Sequence, residues 1–348
     1  MNMPVPGAGA RTPSSADGAD DGLRAFIAQL PKTETHLHIE GALPLRLLRQ
    51  VAPDLFADAP PPWWAPDFRF ASFAQFEDAL LSNAALWFTS PERYHQAARE
   101  VFLGLRAQNV RYVETSFHLP ITQLIHADGR EILAAIRDAA PVDLEVRVFA
   151  GMRRIDRTPA LAPVMDQLAS WDGLAGVDLH GVEEWALESW TAPLWQEVRA
   201  AGKVTKAHAG ELCGPEKVRQ VVEELGVRRV QHGVRAIEDP AVVQLLLDRD
   251  VTCDVCVTSN VKLGVVPSYE AHPIGRLLAA GVRCTVSTDD PFCFGGTLSD
   301  EYLYLARSLR FTPHQLARVA RNGFEVAAIS EPARQGVLDE LDEMTRGT

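Results

Sequence analysis

The chain reads as an α/β protein whose strands and helices close into a (β/α)8 barrel, with a helical lid inserted after the first strand. Three observations predict this. Short apolar runs rich in β-branched residues alternate with helix-like stretches, and that alternation implies parallel strands joined by crossovers. Eight such runs occur, which fits a closed TIM-type barrel better than an open sheet. Finally, polar residues gather at the carboxyl ends of the runs: His36/His38, Gly181, His208/Glu211, His232, Ser259/Asn260 and Asp289/Asp290. A barrel brings those ends together on one face, where its loops build the active site.

Taken in order, residues 1–20 are rich in Pro, Gly, Ala, Ser and Asp. They lack the basic start and apolar run of a signal peptide and are expected to form a disordered tail, leaving 21–348 as a single barrel domain. The first strand is expected at 35–40 (THLHIE), after the Pro31-Lys32 turn. Segment 52–88 then intervenes, dense in Trp, Phe and Pro. It is read as a lid that excludes water and stacks on an aromatic ligand, or as a helical cap on the barrel. The remaining strands are expected at 110–117, 144–151, 174–181, 203–209, 228–233, 252–259 and 283–289, with helices at 92–108, 129–140, 214–226, 239–249 and 272–280. Proline marks helix starts, as in Ser90-Pro91-Glu92 and Glu238-Asp239-Pro240. No Gly-x-Gly-x-x-Gly follows the first strand, so a dinucleotide fold has no support. Residues 310–345 read as closing helices without chemistry of their own.

The bulk properties narrow the partners. Hydrophobic residues make up 47% and charged residues 23% of the 348, an ordinary globular balance. The net charge of −12 argues against nucleic acid, which calls for a basic footprint, and against adhesion to anionic membranes. No stretch approaches the roughly 18–20 apolar residues of a membrane span. The five cysteines, Cys213, Cys253, Cys256, Cys284 and Cys293, are odd in number and clustered late, unlike a secreted disulfide framework. A reducing cytoplasm is therefore expected. Cys253-Asp-Val-Cys256 would place its sulfurs on opposite faces of a strand, and no second such pair completes a zinc site. Buried packing is expected for both.

His36 and His38 leave one face of a short strand, since strand side chains alternate. They make half of a metal site, and His208 and Asp289 supply the rest. Three imidazoles and a carboxylate, with one position left for water, suit zinc; iron, cobalt and manganese take similar donors. Metal-bound water loses a proton near neutral pH and becomes a nucleophile. Two-metal barrels of this kind often use a carbamylated lysine at the end of the fourth strand. Here that strand ends Val177-Asp178-Leu179-His180-Gly181, and Lys206 lies on the fifth, so one zinc per chain is expected. Glu211, in a dry turn past His208, suits a general acid acting on a ring nitrogen. His232 is placed to take the water proton or orient the hydroxide. Asp290 is placed to support the neighbouring ligand or bind substrate. His118 and His180, at strand ends, can be pocket or structural residues. His95, His126, His272 and His314 read as structural.

Pro-Lys-x-Glu-x-His-x-His-x-Glu-Gly-Ala (31–42), Gly-Val-Asp-Leu-x-Gly (176–181), His-Ala-Gly-Glu (208–211), His-Gly (232–233) and Ser-Thr-Asp-Asp-Pro (287–291) resemble the motifs of the adenosine deaminase family, part of the amidohydrolase superfamily, in the family's order. The resemblance implies a zinc-dependent aminohydrolase that replaces the 6-amino group of a purine by oxygen and releases ammonia. It implies that His36, His38, His208 and Asp289 hold zinc and that Glu211 protonates N1 as hydroxide attacks C6. It further implies that His232 serves as base and steadies the hydroxide, that Asp290 contacts N7, and that the Gly181 backbone N–H contacts N3. Two features depart from authentic adenosine deaminases. Glu40 replaces their ribose-binding Asp, and Asp178-Leu-His180-Gly-Val-Glu183 replaces their Asp-Leu-Ala-Gly-Asp-Glu. Phe294-Gly-Gly and Val257-Thr-Ser259-Asn260 look like the adenine deaminase branch instead. The reaction expected is thus deamination of a 6-aminopurine nucleoside. The alternatives are the free base adenine or an enlarged nucleoside such as aminodeoxyfutalosine, whose extra group His180 or the Arg153-Arg154 pair could serve.

Overall fold

The computed structural model describes residues 15–56 and 60–346. Its eight strands are β1 (Lys32–His38), β2 (Val110–His118), β3 (Glu145–Arg153), β4 (Leu174–His180), β5 (Val204–Ala209), β6 (Arg229–His232), β7 (Thr252–Val255) and β8 (Arg283–Val286). They pair in parallel and in sequence order, β1 through β8, as short strands with helical crossovers require. The seam between β1 and the end of β8 is made by backbone: Asp289 N–H donates to His36 O at 2.9 Å and His38 N–H to Asp289 O at 3.0 Å. Three of the expected metal ligands, His36, His38 and Asp289, thus lie on the bonds that close the barrel.

Outside the ring, helices at Pro91–Ala107, Gly129–Asp138, Pro215–Glu224, Pro240–Asp248 and Ile274–Ala279 match the helical stretches expected from periodicity. Prolines at the first turn tolerate the missing N–H there. The floor of the barrel departs from the usual branched apolar filling. Glu114, Lys206, Arg229 and Asp254 meet there, all but inaccessible, with Arg229 forking between Glu114 and Asp254 at 2.9–3.2 Å.

Several boundaries differ from expectation. Helix α1 spans Ser15–Gln29, so residues 15–20 of the expected tail are helical, while 1–14 lie outside the described residues. Lys32 ties α1 to β1, its ammonium donating to the Ile27 carbonyl at 2.5 Å and to the Leu30 carbonyl at 2.8 Å, which gives the Pro-Lys turn its purpose. The seventh strand stops at Val255 rather than running to 259, and Val257–Lys262 turns into a short helix. Its first amides, Val257 and Thr258 N–H, are taken up by the buried Glu301 carboxylate, a partner 44 residues further on that a local reading of a β-branched run does not see.

The insertion 52–88 carries α2 (Leu45–Val51) into α3 (Phe73–Trp87); residues 57–59 lie outside the described residues. Most of its aromatics pack on the barrel rim. Trp63 and Trp64 both donate to Phe292 O, and Phe76 stacks on Phe294 with ring centroids 5.3 Å apart. These contacts fasten the insertion to the residues directly after Asp289-Asp290. Among the described residues, no helix is long and apolar enough to cross a membrane.

Candidate active site

The four expected ligands meet at the carboxyl end of the barrel. His208 Nε2 lies 3.0 Å from His36 Nε2 and 3.2 Å from His38 Nε2. Asp289 Oδ1 lies 3.3 Å from both of the latter. The opposite faces of these rings are spoken for. His36 Nδ1 is 3.2 Å from Asp254 O and His208 Nδ1 is 3.0 Å from Leu179 O; a carbonyl only accepts, so both Nδ1 atoms carry the proton. Their Nε2 lone pairs are therefore bare and face one another beside a carboxylate. Ligand atoms about 2.0–2.1 Å from a shared tetrahedral centre would sit about 3.3–3.4 Å apart, close to the spacing seen. The donor set fits a cation, and Ser116 on His38 Nδ1 (2.8 Å) and Ser259 on Asp289 Oδ2 (2.7 Å) hold the remaining edges.

Asp289 and His232 share a left-handed backbone, each with φ of 62°. A non-glycine residue there costs about 1–3 kcal/mol and tends to mark functional positions. The kink at each strand end aims the side chain inward instead of along the alternation.

Glu211 is buried, and no group donates to its Oε1 among the described residues. Burial pushes its carboxyl well above the ordinary value, and the charges of Asp289, Glu183 and Asp290 push it further. That direction favours the protonated form, and the carboxyl lines the cavity. Glu183 sets its position, accepting from Gly210 N–H and, at 3.2 and 2.8 Å, from Glu211 and Cys213 N–H. Glu183 appeared in the sequence only as a motif residue; its spacing to the His-Ala-Gly-Glu turn carried no signal. Glu183→Gln turns one acceptor into a donor facing an N–H. It is expected to cost about 1.5–3 kcal/mol in urea unfolding and to lower kcat at unchanged metal content.

Asp290 lines the cavity, and its buried Oδ1 also lacks a partner. Gly41 makes room for it: a Cβ at Gly41 would fall 1.6 Å from Asp290 Oδ1. Glu40 accepts from Tyr94 O–H (2.6 Å) and from His118 N–H (3.0 Å), both through Oε1, which leaves Oε2 for a ligand. His118 Nδ1 and His180 Nε2 are 3.0 Å apart, and burial lowers His118 to about 4. His180 and Gly181 both line the cavity. Arg153 and Arg154 do not act as a pair. Arg154 is buried and donates to Val182 O and His208 O, whereas Arg153 reaches the cavity already bound to Asp156 at 2.9 and 3.0 Å. Cys256 packs against His36 Nδ1 at 3.4 Å, and Cys253 lies in the core.

The cavity over this cluster has a volume of about 500 Å³, within the range that holds a small organic ligand. Its outer wall is apolar, from Phe73, Phe76 and Leu80 of α3 with Ile121 and Leu124 opposite. His272, read as structural, reaches Asn260, which reaches His232.

Comparison with known proteins agrees with this geometry. The family model described as adenosine deaminase matches residues 31–344. An aminodeoxyfutalosine deaminase of Streptomyces coelicolor is 31% identical over 93% of this chain and 86% of its own length. An adenine deaminase of Hahella chejuensis is 31% identical over 92% of this chain and 98% of its own. The crystal structure of an adenine deaminase from Arthrobacter aurescens superposes with a TM-score of 0.80, at 26% identity, over 91% of this chain and all of that one. With its motifs, its barrel and its histidine–carboxylate cluster in agreement, the chain belongs to the adenosine deaminase family.

Proposed function

We propose that this protein is a cytoplasmic, zinc-dependent deaminase of a 6-aminopurine nucleoside, working as one barrel domain with α3 as its lid. The observation that carries the reading is the convergence on one cavity of four metal donors and the buried, unpartnered carboxyl oxygens of Glu211 and Asp290. His36, His38, His208 and Asp289 would hold one zinc, which when bound supplies a hydroxide at neutral pH.

The chain's own groups do the rest. Glu211 gives its proton to purine N1, which makes C6 electrophilic as the hydroxide oxygen bonds to it. Asp290, whose carboxyl is pushed well above its ordinary value by burial and then by the charge of Asp289, donates its O–H to N7, and Gly181 faces N3. The C6–N bond then breaks, the departing amino group takes the hydroxyl proton and leaves as ammonia, and C6 keeps a carbonyl with N1–H. Solvent returns to Glu211 the proton released when water ionised. With C6 at the metal cluster, N9 points away toward the mouth, where Glu40 Oε2 can accept a sugar hydroxyl. That favours a nucleoside over the free base. The apolar wall, the acidic Glu77 and an Arg153 already bound to Asp156 favour an uncharged extension at N9.

Ammonia release is measured against adenine, adenosine, 2′-deoxyadenosine, methylthioadenosine, aminodeoxyfutalosine and adenosine 5′-monophosphate. Nucleosides are expected to exceed both the free base and the monophosphate. Chelation is expected to abolish turnover and added zinc to restore it. Silence on every compound with zinc bound would overturn the purine assignment.

A further inference from the structure

His232 does not stand alone. A chain of hydrogen bonds runs from it to the start of the helix at Ile274–Ala279, through two side chains outside the cavity. Ile274 N–H donates to His272 Nδ1 at 3.2 Å, His272 Nε2 lies 3.1 Å from Asn260 Oδ1, and Asn260 Nδ2 lies 3.2 Å from His232 Nδ1. All three side chains are buried.

The direction of each bond follows from its first member. A backbone N–H can only donate, and the amides of a helix's first turn lack an acceptor within the helix. His272 Nδ1 must therefore be the bare nitrogen. A neutral imidazole with a bare Nδ1 carries its proton on Nε2, so His272 donates to Asn260. That places the amide oxygen of Asn260 toward His272 and its NH2 toward His232. His232 Nδ1 then accepts, and the proton of His232 sits on Nε2. Pro273, directly after His272, confines the backbone that sets this geometry.

We infer that Asn260 and His272 are positioning residues that lock His232 as its Nε2–H tautomer. His232 then presents a proton rather than a vacant nitrogen to the cavity, where its Nε2 lies 3.4 Å from Glu211 Oε1 and 3.8 Å from Asp289 Oδ2. Its role, resting on the deaminase reading above, is to donate a hydrogen bond to the attacking oxygen and hold it on line to C6. A residue with that job cannot first take the proton from water. The arrangement is the tautomer logic by which one neighbour decides what an imidazole can do, built here from a helix end two side chains away.

The decisive change is Asn260→Asp. A carboxylate only accepts, so it would still receive His272 Nε2–H but would draw the His232 proton to Nδ1, leaving Nε2 bare. In the zinc-loaded protein, ring ¹⁵N shifts and couplings of His232 report the tautomer without any substrate. The wild type is expected to show the proton on Nε2, and Asn260→Asp to move it to Nδ1. On the preferred purine, Asn260→Asp should lower kcat by about 100- to 1000-fold, the scale for losing one aligned donor, with KM and zinc content near wild type. His272→Ala should lower kcat less, by releasing the amide to rotate. A wild-type spectrum with the proton on Nδ1 overturns the inference whether or not any variant folds. So does an Asn260→Asp enzyme that binds zinc and keeps kcat within a few-fold of wild type. If no purine is turned over but the tautomer is as stated, the relay stands and the deaminase reading is what fails.

Discussion

Glu211→Gln is expected to lower kcat by about two to four orders of magnitude, the contribution of a positioned general acid, while zinc content stays at the wild-type level. The amide keeps the shape of the carboxyl and can still donate a hydrogen bond to N1, so KM should change little. What it cannot do is transfer a proton, and without protonation N1 withdraws too little charge from C6 for attack. A purine with chloride in place of the 6-amino group separates two roles. If Glu211 served the leaving group, chloride, which needs no proton, would spare the variant. In the proposed mechanism N1 is the target, so the deficit should persist with chloride. The pH dependence has a definite sign. Burial first and then the charges of Asp289, Glu183 and Asp290 raise the Glu211 carboxyl, so activity should fall as pH rises through its raised pKa and should not be lost there in the Gln variant's residual rate. Undiminished turnover by Glu211→Gln would remove the acid from the mechanism.

Much of this site was legible because the fold converts linear spacing into place. His36 and His38 share a strand face, and a barrel gathers strand ends, so ligands 81 residues apart in Asp289 and His208 could be assigned together. What was hidden lies in groups without a local pattern. Glu183 works by accepting from the backbone of another loop. Asn260 was expected at the carboxyl end of a strand, yet a carboxylate 41 residues away, Glu301, caps the short helix that carries it. His272 looked like any buried histidine, because its consequence depends on the proton inventory of its neighbours. Helical propensity at residues 15–20 was masked by a composition that looks disordered. The pairing of Arg153 with Asp156 three residues on was within reach of a local reading, and it occupies one of the two arginines offered for an enlarged N9 group.

The barrel floor yields the largest expected effect on stability. Arg229→Met is expected to cost about 3–5 kcal/mol in urea unfolding at neutral pH, the range for removing one partner of a buried ion pair. Arg229 faces two carboxylates, Glu114 and Asp254, while Lys206 faces Glu114 at 2.5 Å and donates to Thr35 O at 2.7 Å. Two cations and two anions balance. Without the guanidinium, a buried carboxylate is left with no counter-charge. Burial alone would raise Glu114, but Arg229 and then Lys206 hold it down to about 2. A carboxyl lowered in the folded state contributes stability above its unfolded pKa and loses it as pH falls through the folded one. In the variant that depression shrinks, so the gap between wild type and Arg229→Met should narrow as pH drops from about 4.5 toward 2. A packing defect from the missing side chain would keep the gap constant instead. The same loss should reach the metal. Asp254 O accepts from His36 Nδ1–H and Thr35 O–H donates to Asp254 Oδ1 at 3.0 Å, so disorder in the floor releases the ring that orients a ligand. Zinc affinity of Arg229→Met is expected to fall together with its stability, whereas Glu211→Gln, above the metal, should leave both in place.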